Sequence, residues 1–190
     1  EKVFVKELNE DFSADLIYNL RIYTPEKYFL TCGPEKEAET RKCWDFKAVK
    51  SYNLQLESQI FNETVEVLHN GLMLGIIICC VPSSKALDFN NCVVLLVQEL
   101  ARRGRIDGST FLQRTENILP RKQKGSDRSM DIQLKTISVK GSPIFKDRAV
   151  LLLDDVTTSG NSMNACSQLL LQNGAKKVFK LGIWKTVHPK

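Results

Sequence analysis

Two adjacent carboxylates followed by a run of small, hydroxyl-bearing residues stand near the C-terminal end of the chain, in the stretch Arg148 to Ser162, RAVLLLDDVTTSGNS. Asp154 and Asp155 can accept hydrogen bonds from sugar hydroxyls. They can also hold a magnesium ion, directly or through water. Val156, Thr157, Thr158, Ser159, Gly160, Asn161 and Ser162 then open a helical pattern. Small residues at a helix start leave backbone N–H groups pointing outward. Their hydroxyls add donors and the helix dipole favours negative charge, so the run suits a phosphate. A ligand carrying sugar, phosphate and metal would use both halves. The plainer reading is a strand–turn–helix connection with Ser159 or Asn161 as its cap.

The elements that must position these residues read as strand and helix in alternation. Ala149 to Leu153 is a short unbroken apolar run, the pattern of a strand buried on both faces of a parallel sheet. Upstream, Leu54, Phe61, Val65 and Leu68 fall at helical spacing between Asn53 and His69, and Asn70-Gly71 stops the pattern. Leu72 to Val81 reads as a buried strand running into a tight polar turn, Pro82, Ser83, Ser84, Lys85. Asp88 to Arg103 is a helix with Phe89, Val93, Leu96, Val97 and Leu100 as its buried stripe, ended by Gly104. Phe111-Leu112 is strand-like, and a basic loop with Arg114, Arg121, Lys122, Lys124 and Arg128 follows. Ile132, Leu134 and Val139 read as a strand, and Met163, Cys166, Leu169 and Leu170 as a helical face. Lys177 to Val187 is a last strand containing Trp184. This alternation predicts an α/β fold, a parallel twisted sheet with helices on both faces. Residues 1–50 carry the least pattern: Val3 and Val5 alternate with charge, and Tyr23, Tyr28 and Phe29 cluster near Pro25. The chain thus divides into an N-terminal segment, 1–50, and a core domain, 51–190.

With 43% hydrophobic and 26% charged residues among 190, the composition is that of a soluble globular chain with a sizeable core. The longest apolar run is too short to span a bilayer, and the start shows no signal-peptide pattern, so a cytoplasmic protein without a membrane partner is expected. The cysteines show no framework spacing, and most lie in apolar runs as small core residues of a reducing compartment. Cys32 and Cys43 lack the further ligands that structural zinc needs. The net charge is +5, and the segment from Ala101 to Arg128, with eight basic and three acidic residues, carries the whole excess. One basic segment in an otherwise balanced chain points to a local anionic ligand. It lacks the interleaved aromatics of a nucleic-acid surface.

The order of an apolar strand, Asp154-Asp155, Val156, Thr157, Thr158, Ser159, Gly160, Asn161 and Ser162 resembles the signature of the type I phosphoribosyltransferases, and every constrained position of that signature is filled. VPSSK, after the strand that ends at Val81, is similar to the pyrophosphate loop of that family. Among its members the chain is closest in character to the competence-related ComF proteins, although their upstream paired cysteines are absent here. The resemblance implies the type I phosphoribosyltransferase fold with a small hood from residues 1–50 and the C-terminal tail. It implies transfer of ribose 5-phosphate from 5-phosphoribosyl-1-pyrophosphate (PRPP), with Mg²⁺ as cofactor, to a nucleobase-like acceptor, releasing pyrophosphate. On this reading 156–162 hold the 5-phosphate and Pro82, Ser83, Ser84 and Lys85 the pyrophosphate. Asp154 and Asp155 hold the ribose and the metal, and the basic loop, with Arg121 and Lys122, closes over the reacting centre. Trp184 either stacks on the acceptor base or is a core aromatic. A regulator that binds PRPP without turnover is the alternative, and a homodimer is compatible with either.

Overall fold

The computed structural model describes residues 13–23, 34–119 and 129–187. The basic loop's Arg121, Lys122, Lys124 and Arg128, together with Val3, Val5, Tyr28, Phe29 and Cys32, lie outside the described residues.

In chain order the elements are β1 (Ile17–Tyr23), α1 (Pro34–Ala48), α2 (Tyr52–Glu57), α3 (Gln59–Gly71), β2 (Ile77–Cys80), α4 (Cys92–Arg102), β3 (Ile106–Gly108) and β4 (Leu112–Arg114). They continue with α5 (Met130–Thr136), β5 (Ile137–Val139), α6 (Ser142–Phe145), β6 (Ala149–Thr157), α7 (Asn161–Gln172) and β7 (Lys177–Thr186). A sheet of five strands runs β1-β7-β6-β2-β3, and each neighbouring pair is parallel. β4 and β5 form a separate antiparallel pair. The expected α/β architecture, a parallel sheet flanked by helices, is therefore present. No helix among the described residues is long and apolar enough to cross a membrane.

The sheet's central strands are apolar on both faces because both faces are covered. Ile78, Cys80, Leu151, Leu153, Leu181 and Ile183 turn to one side and meet α1, α3 and α4 through Phe46, Phe61, Val65, Leu96, Val97 and Leu100. Ile77, Cys79, Val150, Leu152 and Val178 turn to the other, against Phe111, Phe145, Met163, Cys166 and Leu170. This is the period-two alternation of a strand buried on both sides. The buried thiols behave as small core residues, with burial pushing Cys43 and Cys79 up to about 12.

The first fifty residues contribute to this core directly. β1 is the edge strand, paired along β7 from Ile17↔Lys180 to Tyr23↔Thr186. From α1, Phe46 is fully buried between Phe61, at 5.5 Å and stacked, and Trp184, at 5.1 Å and tilted.

Several boundaries differ from the sequence expectation for local reasons. The helix expected over 53–69 breaks at Ser58, which ends α2 and caps α3, accepting from Phe61 N. Across the break the buried position passes to Gln55, whose amide donates to Glu99, while Leu54, expected in the stripe, is exposed. The strand expected from Leu72 shrinks to Ile77–Cys80, because Leu72 ends α3 and Gly75 turns with φ +72°. The α4 helix starts at Cys92, where Asn91 accepts from Val93 N and Val94 N at 3.1 Å each. Ile132 and Leu134, expected in a strand with Val139, lie on helix α5, capped by Ser129. That helix buries polar residues, Gln133 and Thr136, so its apolar residues gave a misleading period.

The packing of Phe46 makes a prediction. Phe46→Ala removes a fully enclosed ring and should cost about 3–5 kcal/mol of unfolding free energy. A urea melt that moves by no more than a surface substitution does, within about 0.5 kcal/mol, would place α1 outside the core.

Candidate functional site

The sheet order has one reversal. The chain leaving β2 passes through α4 to the edge strand β3, and the chain leaving β6 passes through α7 to β7 on the other side. Their helices pack on opposite faces. Connections that diverge in this way open a crevice at the carboxyl ends of the two central strands, where α/β sheets bind their ligands. β2 and β6 are direct neighbours, with Cys80 opposite Leu153, and Val81 N donates to Leu153 O at 2.8 Å. Both sequence stretches that suit anions begin at this end of the two strands: Pro82–Lys85 leaves the sheet here, while Asp154–Ser162 runs on along β7 as far as Thr157 before it turns.

The loop after β2 is tightly held. The Ser83 hydroxyl donates to the Asp88 carboxylate at 3.0 Å and accepts from Lys85 N at 3.1 Å. Ser84 O accepts from Ile118 N, Ala86 N donates to Asn117 Oδ1, and Leu87 N donates to Arg114 O. Leu87 is exposed and adopts φ +52°, a conformation that side chains rarely take. Such strain gathers where the surrounding structure over-determines a loop. Ser83 therefore has its hydroxyl engaged inside the turn, while Lys85 is exposed and makes no ion pair among the described residues.

Arg114, expected among the cations of the basic loop, is instead buried at the end of β4. Its Nε donates to Ser83 O at 2.5 Å, and its two terminal nitrogens donate to Thr136 Oγ1 and Gln133 Oε1 at 2.6 and 2.7 Å. A guanidinium spreads donors in a fixed fork, so one side chain ties the loop to α5.

At the end of β6 the strand continues through Val156 and Thr157, two residues expected in the loop. Asp154 Oδ1 accepts from Asp155 N at 2.9 Å, and Asp155 Oδ1 accepts from Val156 N at 2.6 Å. Asp155 Oδ2 lies 2.7 Å from the ammonium of Lys47, on α1. Burial, then the neighbouring Asp155 carboxylate, holds the Asp154 carboxyl well above the usual range. Burial works against the Lys47 charge, but Asp155 outweighs it and the pKa of Lys47 is raised.

The turn into α7 rests on β1 and β7. The Thr157 hydroxyl donates to Asn19 Oδ1, and the Thr158 and Thr186 hydroxyls are 2.9 Å apart. Gly160 has φ +80°, and a Cβ there would lie 2.5 Å from Ile17 Cδ1. Gly182 likewise makes room, since its Cβ would meet Asn19 Oδ1 at 2.6 Å and Thr157 Cγ2 at 2.7 Å. Ser159 is exposed, and among the described residues no side chain caps α7, which starts behind Gly160 with Asn161 and Ser162 in its first turn. N–H groups at the first turn of a helix are the donors that suit an anion.

Trp184 is fully buried against Phe46, with no face open to a stacking base, so it serves as a core aromatic. Arg121 and Lys122 lie outside the described residues. The sequence reading missed Asn19, Ile17, Lys47 and the anchoring role of Arg114. The alternating IYNLRIY could have marked β1; nothing local marks Lys47.

Among the described residues no group of three or more His, Cys, Asp or Glu could hold a metal. Magnesium needs near-octahedral oxygen ligands. Here both oxygens of Asp155 are engaged, one of them by an ammonium. The acidic pair as it stands does not fit an ion held directly by both carboxylates. No protein-family model and no curated protein matches the chain.

The raised pKa of Asp154 predicts a sign. Below about pH 4 both the folded and the unfolded chain hold this proton, and the group contributes nothing to the pH dependence. As pH rises through the ordinary aspartate range, the unfolded chain releases the proton first and the native state loses stability. Asp154→Asn lacks that loss. Its urea midpoint should exceed that of wild type at neutral pH, with the difference vanishing toward pH 4. A neutral-pH midpoint at or below wild type would contradict the raised pKa of this carboxyl.

Proposed function

We propose that the protein binds PRPP and transfers its ribose 5-phosphate to a small, nucleobase-like acceptor, as a phosphoribosyltransferase of the type I fold. The observation that carries this reading is the juxtaposition of two anion-suited turns at the carboxyl ends of neighbouring parallel strands, with an acidic pair in the last residues of β6 before the phosphate turn. In this reading Thr158 to Ser162 receive the 5-phosphate through first-turn N–H groups and hydroxyls. Asp154 and Asp155 accept from the ribose hydroxyls and orient C1. The turn 82–85 and Lys85 meet the pyrophosphate. The C1–O bond to pyrophosphate breaks with oxocarbenium character while the acceptor bonds to C1, and the acceptor's proton passes to solvent. Charge grows on the leaving pyrophosphate, so fixed N–H dipoles and Lys85 stabilise the transition state more than the ground state.

The second reading is a PRPP-binding regulator, of the kind suggested by the ComF-like character of the sequence. It is favoured by the engagement of Asp155 with Lys47 and by the internal bonding of Ser83, which leave the free site partly self-satisfied.

Both readings require PRPP binding. PRPP with Mg²⁺ should raise the melting temperature, with a gain of about 2.7 kcal/mol at a hundred times its dissociation constant. Equal melting curves with millimolar PRPP and with an unrelated nucleotide would overturn both. In calorimetric titration, Asp154→Asn with Asp155→Asn should weaken PRPP at least about a hundredfold, since charge-assisted hydrogen bonds contribute roughly 1.5–3 kcal/mol each. Ser159→Ala, losing one neutral donor, should cost about tenfold. Pyrophosphate release with a panel of nucleobases separates the two readings: PRPP binding with no release on any acceptor favours the regulator.

A further inference from the structure

Lys47 reaches Asp155 from a part of the chain that no site motif covers. α1 is fixed on the sheet by the buried Cys43 and Phe46, and the residue after its end, Val49, is buried as well, so the base of the Lys47 side chain is held in place. Its ammonium lies 2.7 Å from Asp155 Oδ2, and Val156 N–H fixes the other carboxylate oxygen at 2.6 Å. The Asp155 carboxylate is therefore oriented from both sides, and it presents to the lysine the edge through which a divalent ion would bind. An ammonium and a dication repel each other at one carboxylate edge, and carboxylates with too few companions hold a divalent ion weakly. No third acidic, histidine or cysteine ligand joins the pair among the described residues. Lys47 is half-exposed, with 45% of its side-chain surface open, so packing of its own head group does not require it here.

We propose that Lys47 is the resident counter-ion of the acidic pair, and that it excludes divalent cations from Asp154 and Asp155 in the free protein. With Lys47 in place the Asp155 charge is balanced at its Oδ2 edge, and the pair keeps lone pairs for uncharged donors, such as the vicinal hydroxyls of a sugar. A divalent ion then reaches the crevice only as part of an anionic ligand that already carries it. This role concerns the free protein and holds whether or not the ligand is PRPP.

The test is titration of the ligand-free protein with Mn²⁺, followed by electron paramagnetic resonance of the free ion, which uses no phosphoribosyl compound. Wild type and Lys47→Arg, which keeps the charge, should show no specific site. Lys47→Met, and Lys47→Gln as a polar second variant, should bind Mn²⁺ at least about tenfold more tightly than wild type. Adding Asp155→Asn to Lys47→Met should abolish the gain. Far-UV circular dichroism checks that each variant is folded. Wild-type binding as tight as that of Lys47→Met overturns the proposal, as does a gain that survives Asp155→Asn. The wild-type measurement stands alone if the variants do not fold. Failure of PRPP binding would leave this result untouched, so the two readings fail separately.

Discussion

The pairing of β2 with β6 is the constraint on which the rest of the site depends. Cys80 sits beside Leu153, and one further bond, Val81 N to Leu153 O, carries the pairing to the first residue of the loop. Parallel strands put their carboxyl ends at one edge, so two turns that are some seventy residues apart in sequence emerge side by side. Because β2 leads to β3 and β6 to β7, these two connections diverge and leave a crevice between them. The apolar runs Ile77–Cys80 and Ala149–Leu153 are thus more than core. Their register sets how far the Pro82 turn stands from the acidic pair, and a slip of one residue would turn the acids' side chains to the opposite faces.

The two turns are held by different means. The turn after β2 hangs on hydrogen bonds from outside the sheet, above all those of Arg114, whose guanidinium links Ser83 O to the polar face of α5. The turn after β6 rests on the sheet, where Asn19 on β1 and Thr186 on β7 accept or share the hydroxyls of Thr157 and Thr158. Gly160 takes φ +80°, where a side chain is strained, and a Cβ there would press on Ile17 Cδ1. β1 belongs to the first fifty residues, so that segment supports the phosphate-suited turn as well as the core.

Buried arginines recur in this fold with carbonyls or amides as partners. Arg105 is nearly enclosed and donates to the backbone oxygens of Arg103, His69 and Leu72, tying the end of α3 to the segment before β3. Burial, then the charge of Arg103, lowers its pKa. Last-turn carbonyls of a helix have no intrahelical donor, so a guanidinium fork satisfies several at once. Arg114 does the same for a loop. In both cases a basic residue that looks like surface charge in the sequence has a structural task.

What the sequence determined by itself was the alternation of elements and the location of the two turns. An unbroken apolar run such as Val150–Leu153 reads as a doubly buried strand, and small hydroxyl residues followed by a helical face mark a phosphate-suited turn without any tertiary information. Periodicity failed where the buried face is polar, as on α5 with Gln133 and Thr136, and where a cap such as Ser58 divides one apparent helix into two. The tertiary structure alone decided that the turns are neighbours, that Trp184 faces Phe46, and that Lys47 meets Asp155. Strand order and long-range ion pairs depend on which surfaces meet after folding, and no local pattern of residues encodes that choice.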